Sequence, residues 1–183
     1  MNMKKIDVSL REETESDFDD IDRITRLAFG DHGDDVAKLV TLIRASENYC
    51  PRYSYVAVAN GQVVGHIMLS KATLVDNGKV HEILNLSPVS VAPKFQNMGV
   101  GSSLVKLVVA KADKSGEPLV VLEGSHLYYS RFGFEWSETY GISINIPKDV
   151  PAESAQVFIC NSYNDELIKG QVVYPAAFDH VAH

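Results

Sequence analysis

The stretch most able to do chemistry is Val89-Ser90-Val91-Ala92-Pro93-Lys94-Phe95-Gln96-Asn97-Met98-Gly99-Val100-Gly101-Ser102-Ser103. A strand-like run enters a loop whose two glycines, Gly99 and Gly101, open a helical pattern. Glycine lets a backbone come close to a ligand, and a helix N-terminus presents N–H groups that the helix itself cannot satisfy. Together they suit an anion such as a pyrophosphate. Ser102 and Ser103 place two hydroxyls at the same end of the helix. The alternative is a helix whose glycines only permit close packing. Two phosphate loops are excluded. A P-loop needs Gly-Lys-Ser/Thr, whereas Gly101 is followed by Ser102-Ser103, and Leu104 stands where the dinucleotide fingerprint needs its third glycine.

The spacing Gln96-Asn97-Met98-Gly99-Val100-Gly101 resembles the Q/R-x-x-G-x-G/A loop of the GNAT acyltransferase superfamily. Val89-Ser90-Val91-Ala92-Pro93 is similar to the strand and proline that precede that loop. Downstream, Tyr128-Tyr129-Ser130-Arg131-Phe132-Gly133-Phe134 resembles the family's aromatic-Tyr-x-x-x-Gly-Phe segment. With the terminal Tyr174-Pro175-Ala176-Ala177-Phe178, it is similar to the YhbS-like branch of predicted N-acetyltransferases. The resemblance implies a GNAT-like α/β fold over 1–183 as a single N-acetyltransferase domain, with acetyl-CoA as co-substrate. It implies that the backbone of Val89, Ser90 and Val91 pairs with the pantetheine arm like an added strand. Gln96, Asn97, Met98, Gly99, Val100, Gly101, Ser102 and Ser103 would form the cofactor loop, with Asn97 to Ser102 around the pyrophosphate. Tyr129 falls on the tyrosine that often protonates the departing CoA thiolate. Two departures stand out. Many relatives carry an asparagine before that tyrosine, where Glu123-Gly124-Ser125-His126 fills a shorter loop here, and the family has no universal general base.

The implied reaction is acetyl transfer to a primary amine, on a small molecule or a protein, by direct attack in a ternary complex. The alternative is a non-catalytic acyl-CoA-binding or regulatory module of the same fold. An alkyl amine has a pKa near about 10.4, so removing its proton at neutral pH costs roughly 4.6 kcal/mol. A carboxylate or histidine can supply that step. Glu123 ends an apolar strand where such sheets splay open, which makes it a candidate base; its other reading is a solvated strand-end carboxylate. Glu82 and His81 rank behind it as edge or surface residues. Tyr129, apart from the family match, also reads as a core aromatic. Trp136, Tyr163, Tyr174 and Phe178 are candidates for an acceptor pocket or for packing. His32, His66, His126, His180 and His183 show no metal-ligand spacing, so no metal is expected. Cys50 and Cys160 lie outside the matched motifs, and no acetyl-cysteine intermediate is expected.

The elements that must hold these residues follow from periodicity. Ile6, Val8 and Leu10 alternate as a first strand, and Thr14 and Ser16 open a helix carried by Phe18, Ile21, Ile24 and Ala28. Val36, Leu39, Val40 and Ile43 mark a second helix ending near Ser46. Tyr53 to Ala59, the Asn60-Gly61 turn and Gln62 to Val75 form a hairpin, and Asp76-Asn77-Gly78 turns into a third strand, Val80 to Val91. A helix from Val100 to Ala112 leads to the wholly apolar strand Pro118 to Leu122, a right-handed parallel crossover. A short helix at Leu127 to Phe132, a strand from Phe134 and a late strand Val157 to Cys160 complete the expectation. The fold class is therefore α/β in the α+β sense: a central, mostly antiparallel mixed sheet with one parallel crossover and flanking helices.

Composition sets the outer limits. The 183 residues are 45% hydrophobic and 22% charged, the balance of a globular domain rather than a disordered or fibrous chain. The net charge of −7 argues against nucleic acid as a partner and mildly favours a cationic acceptor. No apolar run approaches the roughly 20 residues of a membrane helix, and Met1 to Asp7 does not read as a signal peptide. A cytoplasmic monomer or homodimer with no membrane partner is expected.

Overall fold

The computed structural model describes residues 7–180, which places Ile6 and His183 outside the described residues. In chain order the elements are β1 (Ser9–Glu12), α1 (Phe18–Phe29), α2 (Gly33–Arg44), β2 (Tyr49–Ala59), β3 (Gln62–Asp76), β4 (Lys79–Val91) and α3 (Val100–Lys114). They continue as β5 (Leu119–Glu123), α4 (His126–Tyr129), β6 (Glu135–Trp136), β7 (Ile142–Ser143), β8 (Ala155–Ile159) and β9 (Gly170–Val173).

Two tight turns organise the centre. Asn60-Gly61 (φ 50° and 74°) and Asn77-Gly78 (φ 47° and 81°) adopt the left-handed pairs that match the twist of antiparallel strands. They fold β2, β3 and β4 into a meander. The sheet runs β1-β2-β3-β4-β5-β8-β6, with β9 on the far end of β3 and β7 beside β9. As expected for the apolar run, β5 is a central strand: it pairs antiparallel to β8 and parallel to β4, through Leu84–Val120 and Asn85–Val121. There the pairing stops. Against β3, Ile67 opposes Val89 while Leu69 opposes Leu86, so β4 carries an extra residue around Ser87-Pro88. Pro88 has no N–H to give a ladder, and the bulge bends β4 away from β5. Beyond the bulge, Val89, Ser90 and Val91 pair with β3 on one edge, and among the described residues no strand covers the other.

Helices close both faces. Leu104, Val105, Val108 and Ala112 of α3 pack on Ile67, Leu69, Leu84, Val120 and Leu122. Gly65 makes that contact close: a Cβ there would lie 2.9 Å from Val100 and 3.1 Å from Leu104. On the opposite face Ile21 and Ile24 of α1, with Leu39, Val40 and Ile43 of α2, cover Val56, Val63 and Met68. Each such fully buried side chain contributes about 1.5–3 kcal/mol. A buried polar knot pins the helices to the sheet. Glu13 accepts hydrogen bonds from Arg44 (2.7 and 3.0 Å), Tyr49 (2.6 Å) and His66 Nε2 (2.9 Å).

Several boundaries differ from the sequence expectation. Strand β2 begins at Tyr49 rather than Tyr53, because the register shift between Tyr49 and Ser54 lets Pro51 pass without donating. The strand expected from Phe134 is limited to Glu135–Trp136. Strands β7 and β9 were not expected at all; β9 joins Thr73, Leu74 and Val75 of β3 across about a hundred residues of chain, where no local turn announces it. Among the described residues, no helix is long and apolar enough to cross a membrane.

Candidate active site

The loop between β4 and α3 is shaped by backbone geometry. Asn97 (φ 59°) and Gly99 (φ 84°) both take left-handed conformations that turn the chain into the helix. Ser103 N–H and its hydroxyl both return to the Gly99 carbonyl, at 2.9 and 3.0 Å. That leaves the first-turn N–H groups of Val100, Gly101 and Ser102 with no backbone acceptor among the described residues. Gly101 keeps the approach open: a Cβ there would lie 2.9 Å from the Tyr128 hydroxyl and 3.5 Å from Val91. A cleft of ≈ 290 Å³ fills this space, lined among others by Val89, Val91, Phe95, Asn97, Gly101 and Tyr128. Arg131 stacks its guanidinium over the Tyr128 ring at 4.6 Å and adds positive charge beside it. Helix amides without backbone acceptors beside a glycine gap are features that suit an anionic group.

The expected cofactor residues divide by what they do here. Val89 and Val91 line the cleft with their side chains. Ser90 is fully buried and its hydroxyl lies 3.1 Å from that of Thr25 on α1, so only its backbone faces the open edge. Gln96 braces the loop by donating to the Val91 carbonyl (3.0 Å). Met98 is exposed, and Val100 packs into the core, contributing its N–H alone. Ser102 is half-buried, and the exposed Ser103 donates its hydroxyl to the Gly99 carbonyl within the loop (3.0 Å).

A second cavity, ≈ 150 Å³, opens where β4 and β5 part. Asn85, Leu86 and Ser87 of β4, Glu123 of β5, Leu39 of α2, Tyr174 and Phe178 line it. Glu123 thus stands at the splay, as its place at the end of the apolar strand implied. Burial first, and then the nearby charge of Glu123, hold the Tyr174 hydroxyl well above its ordinary range. Tyr174 and Phe178 stack with centroids 5.2 Å apart and close the apolar side. The other aromatics lie elsewhere: Tyr163 packs on Tyr140, and Trp136 is exposed on β6. Glu82 is tied to Lys71 at the sheet surface (3.0 Å).

Tyr129 and Tyr128 meet edge to face, centroids 4.9 Å apart, at the end of β5. The Tyr129 ring lies directly on Gly124, where a Cβ would come within 2.7 Å, and it leans on Phe134. Burial, and to a lesser degree Tyr128, push its hydroxyl up to about 12. Tyr128, rather than Tyr129, lines the ≈ 290 Å³ cleft. Tyr128 and Asn85 were not singled out from sequence. The one available signal for Asn85 was its polarity within the apolar run Ile83-Leu84-Asn85-Leu86. Cys50 and Cys160 are both free and buried, and burial, then Asp113 and Glu117, push the Cys160 thiol up to about 12.

Residues 9–137 match a family model described as an acetyltransferase (GNAT) domain. The chain is 34% identical over 123 residues to YjhQ, an uncharacterized N-acetyltransferase of Escherichia coli K12; the match covers 66% of this chain and 65% of that relative's own length. Among solved structures it is similar to the GNAT family N-acetyltransferase YhbS of Escherichia coli in complex with CoA, with a TM-score of 0.84 at 25% identity over 98% of this chain and 96% of the other. It is also similar to a GNAT family acetyltransferase of Brucella melitensis in complex with acetyl-CoA, with a TM-score of 0.75 at 28% identity, over 94% and 99% of the two chains.

Proposed function

The chain belongs to the GNAT acetyltransferase family, and from that premise we propose that residues 1–183 form one acyltransferase domain that moves an acetyl group from acetyl-CoA to the nitrogen of a primary amine by direct attack in a ternary complex. The observation that carries this is the cradle: three helix amides at Gly101 with no backbone acceptor, beside a β4 edge that no strand covers, both among the described residues. The amides from Asn97 to Ser102 would hold the pyrophosphate, and the free edge of Val89 to Val91 would take the pantetheine arm as an added strand. When bound, the thioester supplies an activated acetyl carbonyl.

The chain's own residues do the rest. Glu123, at the mouth of the ≈ 150 Å³ cavity, takes the proton from the incoming ammonium. An N–H on the open β4 edge stabilises the carbonyl oxygen as it gains charge. Tyr129 presents a hydroxyl to the departing sulfur. At about 12 it is a weaker acid than an ordinary thiol near 8.5, so it acts by hydrogen bonding in the transition state rather than by complete transfer beforehand. A second reading gives this donor role to Tyr128, because Tyr128 lines the cleft and Tyr129 packs against Gly124.

Calorimetric titration with acetyl-CoA, against CoA, ATP and NAD, tests the cradle. Selective acetyl-CoA binding is expected; no binding at millimolar concentration would sink the acetyltransferase proposal. Tyr129→Phe and Tyr128→Phe then separate the roles. The donor's loss lowers kcat by roughly 10²-fold or more with acetyl-CoA affinity kept. Affinity without turnover in the unmutated chain would instead favour a non-catalytic acyl-CoA-binding module.

A further inference from the structure

Two buried polar atoms of residues lining the second cavity have no hydrogen-bond partner among the described residues, the Tyr174 hydroxyl and Asn85 Nδ2. Asn85 is 2% exposed and lies on β4, at the end of the β4–β5 pairing. Its cross-strand neighbour does not relieve it: Ser70 lies opposite Asn85 in the β3–β4 register, and the Ser70 hydroxyl is itself buried without a partner. Nearly all buried polar atoms in folded proteins are satisfied, so an amide donor left open at the wall of a cavity points to a ligand that completes it. Leu would fill the same position in the apolar run of β4 without that penalty.

The geometry limits what the ligand can be. Asn85 pairs with Val121 on β5, and Glu123 lies two residues farther along, roughly 7 Å at strand spacing. The cavity between them is ≈ 150 Å³, the share of roughly five waters at about 30 Å³ each. Its remaining walls are the apolar Leu39, Leu86 and Phe178 together with Ser87 and Tyr174. An amine held at Glu123 therefore has its near substituents within reach of Asn85.

We propose that Asn85 donates to an oxygen carried close to the reacting nitrogen, which makes the acceptor a primary amine bearing a neighbouring carbonyl or hydroxyl, and makes Asn85 its specificity-determining residue. This deepens the acetyltransferase proposal and rests on it. Plain alkyl amines leave the buried Asn85 donor unpaired and are poor acceptors for that reason.

The test uses the full chain with acetyl-CoA and compares kcat/KM for glycinamide and ethanolamine with that for propylamine, in the unmutated protein and in Asn85→Leu. The change in ratio between the two proteins cancels the amines' differing intrinsic reactivities. The expected result is a ratio roughly tenfold or more lower in Asn85→Leu, expressed mainly in KM, with acetyl-CoA affinity retained. Asn85→Ser, which shortens the side chain, reports the same ratio should the leucine disturb folding. Equal losses on all three amines in both variants would overturn the proposal. So would acetyl-CoA binding with no turnover of the oxygen-bearing amines, whereas failure to bind acetyl-CoA defeats the underlying transferase proposal instead. Tetraglycine as an additional acceptor distinguishes the source of the oxygen. Turnover as fast as glycinamide assigns it to a polypeptide N-terminus, and turnover no better than propylamine assigns it to a free small amine; either supports the role of Asn85.

Discussion

Gly99 and Gly101 sit two residues apart and should fail for opposite reasons when replaced by alanine. Gly101 lies in the first turn of α3 with an ordinary helical φ, so alanine adds up to about 1 kcal/mol of helix stability. Its methyl meets the Tyr128 hydroxyl at 2.9 Å and Val91 at 3.5 Å. The first of these is the far end of a side chain that can shift, so Gly101→Ala should leave folding stability within about 1 kcal/mol of the parent. The same methyl fills the gap through which the helix amides face the cleft. Acetyl-CoA affinity should fall at least tenfold, about 1.4 kcal/mol. At Gly99 no atom lies within 4 Å of an added Cβ, so space is not the issue, but φ is +84°. Holding an L-residue there costs about 1–2 kcal/mol, and Gly99→Ala should lose that much stability while crowding nothing. Urea unfolding reads the stability and calorimetry reads the affinity. If Gly101→Ala binds acetyl-CoA as the parent does, or loses more than about 2 kcal/mol of stability, the assignment of Gly101 to an open cradle is wrong.

The Glu13 knot makes a stability prediction with a pH signature. Glu13→Ala leaves Arg44 and His66 buried without their carboxylate and should cost about 3–5 kcal/mol in urea unfolding. Burial alone would raise the Glu13 carboxyl, but the hydrogen bonds from His66, Arg44 and Tyr49 overcome it and hold the group at about 2 against an ordinary 4.5. Asp17 is likewise held at about 2, first by its hydrogen bond from Arg11. Between these values the unfolded chain binds more protons, so this stability is complete above pH 4.5 and is lost as pH falls toward about 2. Burial lowers His66 below 6.5, and a proton on its Nδ1, which has no partner among the described residues, would be an unsatisfied buried donor. Stability should therefore begin to fall below pH 6.5 and fall again below 4.5; a flat profile through both windows would contradict the assignment. Glu123→Gln should lower kcat by roughly 10²–10⁴-fold at neutral pH with acetyl-CoA affinity kept, and the deficit should shrink as pH climbs toward the amine's own pKa. A deficit that is independent of pH would remove Glu123 from the role of base.

Much of the framework was legible before any coordinates, because it depends on neighbours in the chain. Asn60-Gly61 and Asn77-Gly78 demand positive φ at paired positions, and that local demand alone dictates the meander. The apolar run from Pro118 to Leu122 reads as a buried strand, and the Gly99-Val100-Gly101 spacing marks where a helix opens. Side-chain direction within that loop was decided elsewhere. Ser90 turns to Thr25, Ser103 to Gly99 and Val100 into the core because the packing of α1 and α3 chose which side of each residue is buried. The second cavity depends still more on tertiary structure. Leu39, Asn85, Glu123 and Tyr174 come from four distant parts of the chain, and no periodicity relates them. They meet because a bulge at Ser87-Pro88 parts β4 from β5 and because the C-terminal segment returns across the gap. Backbone dihedrals are encoded by adjacent residues, whereas a cavity is the space left when whole surfaces pack, and only the folded chain determines which surfaces those are.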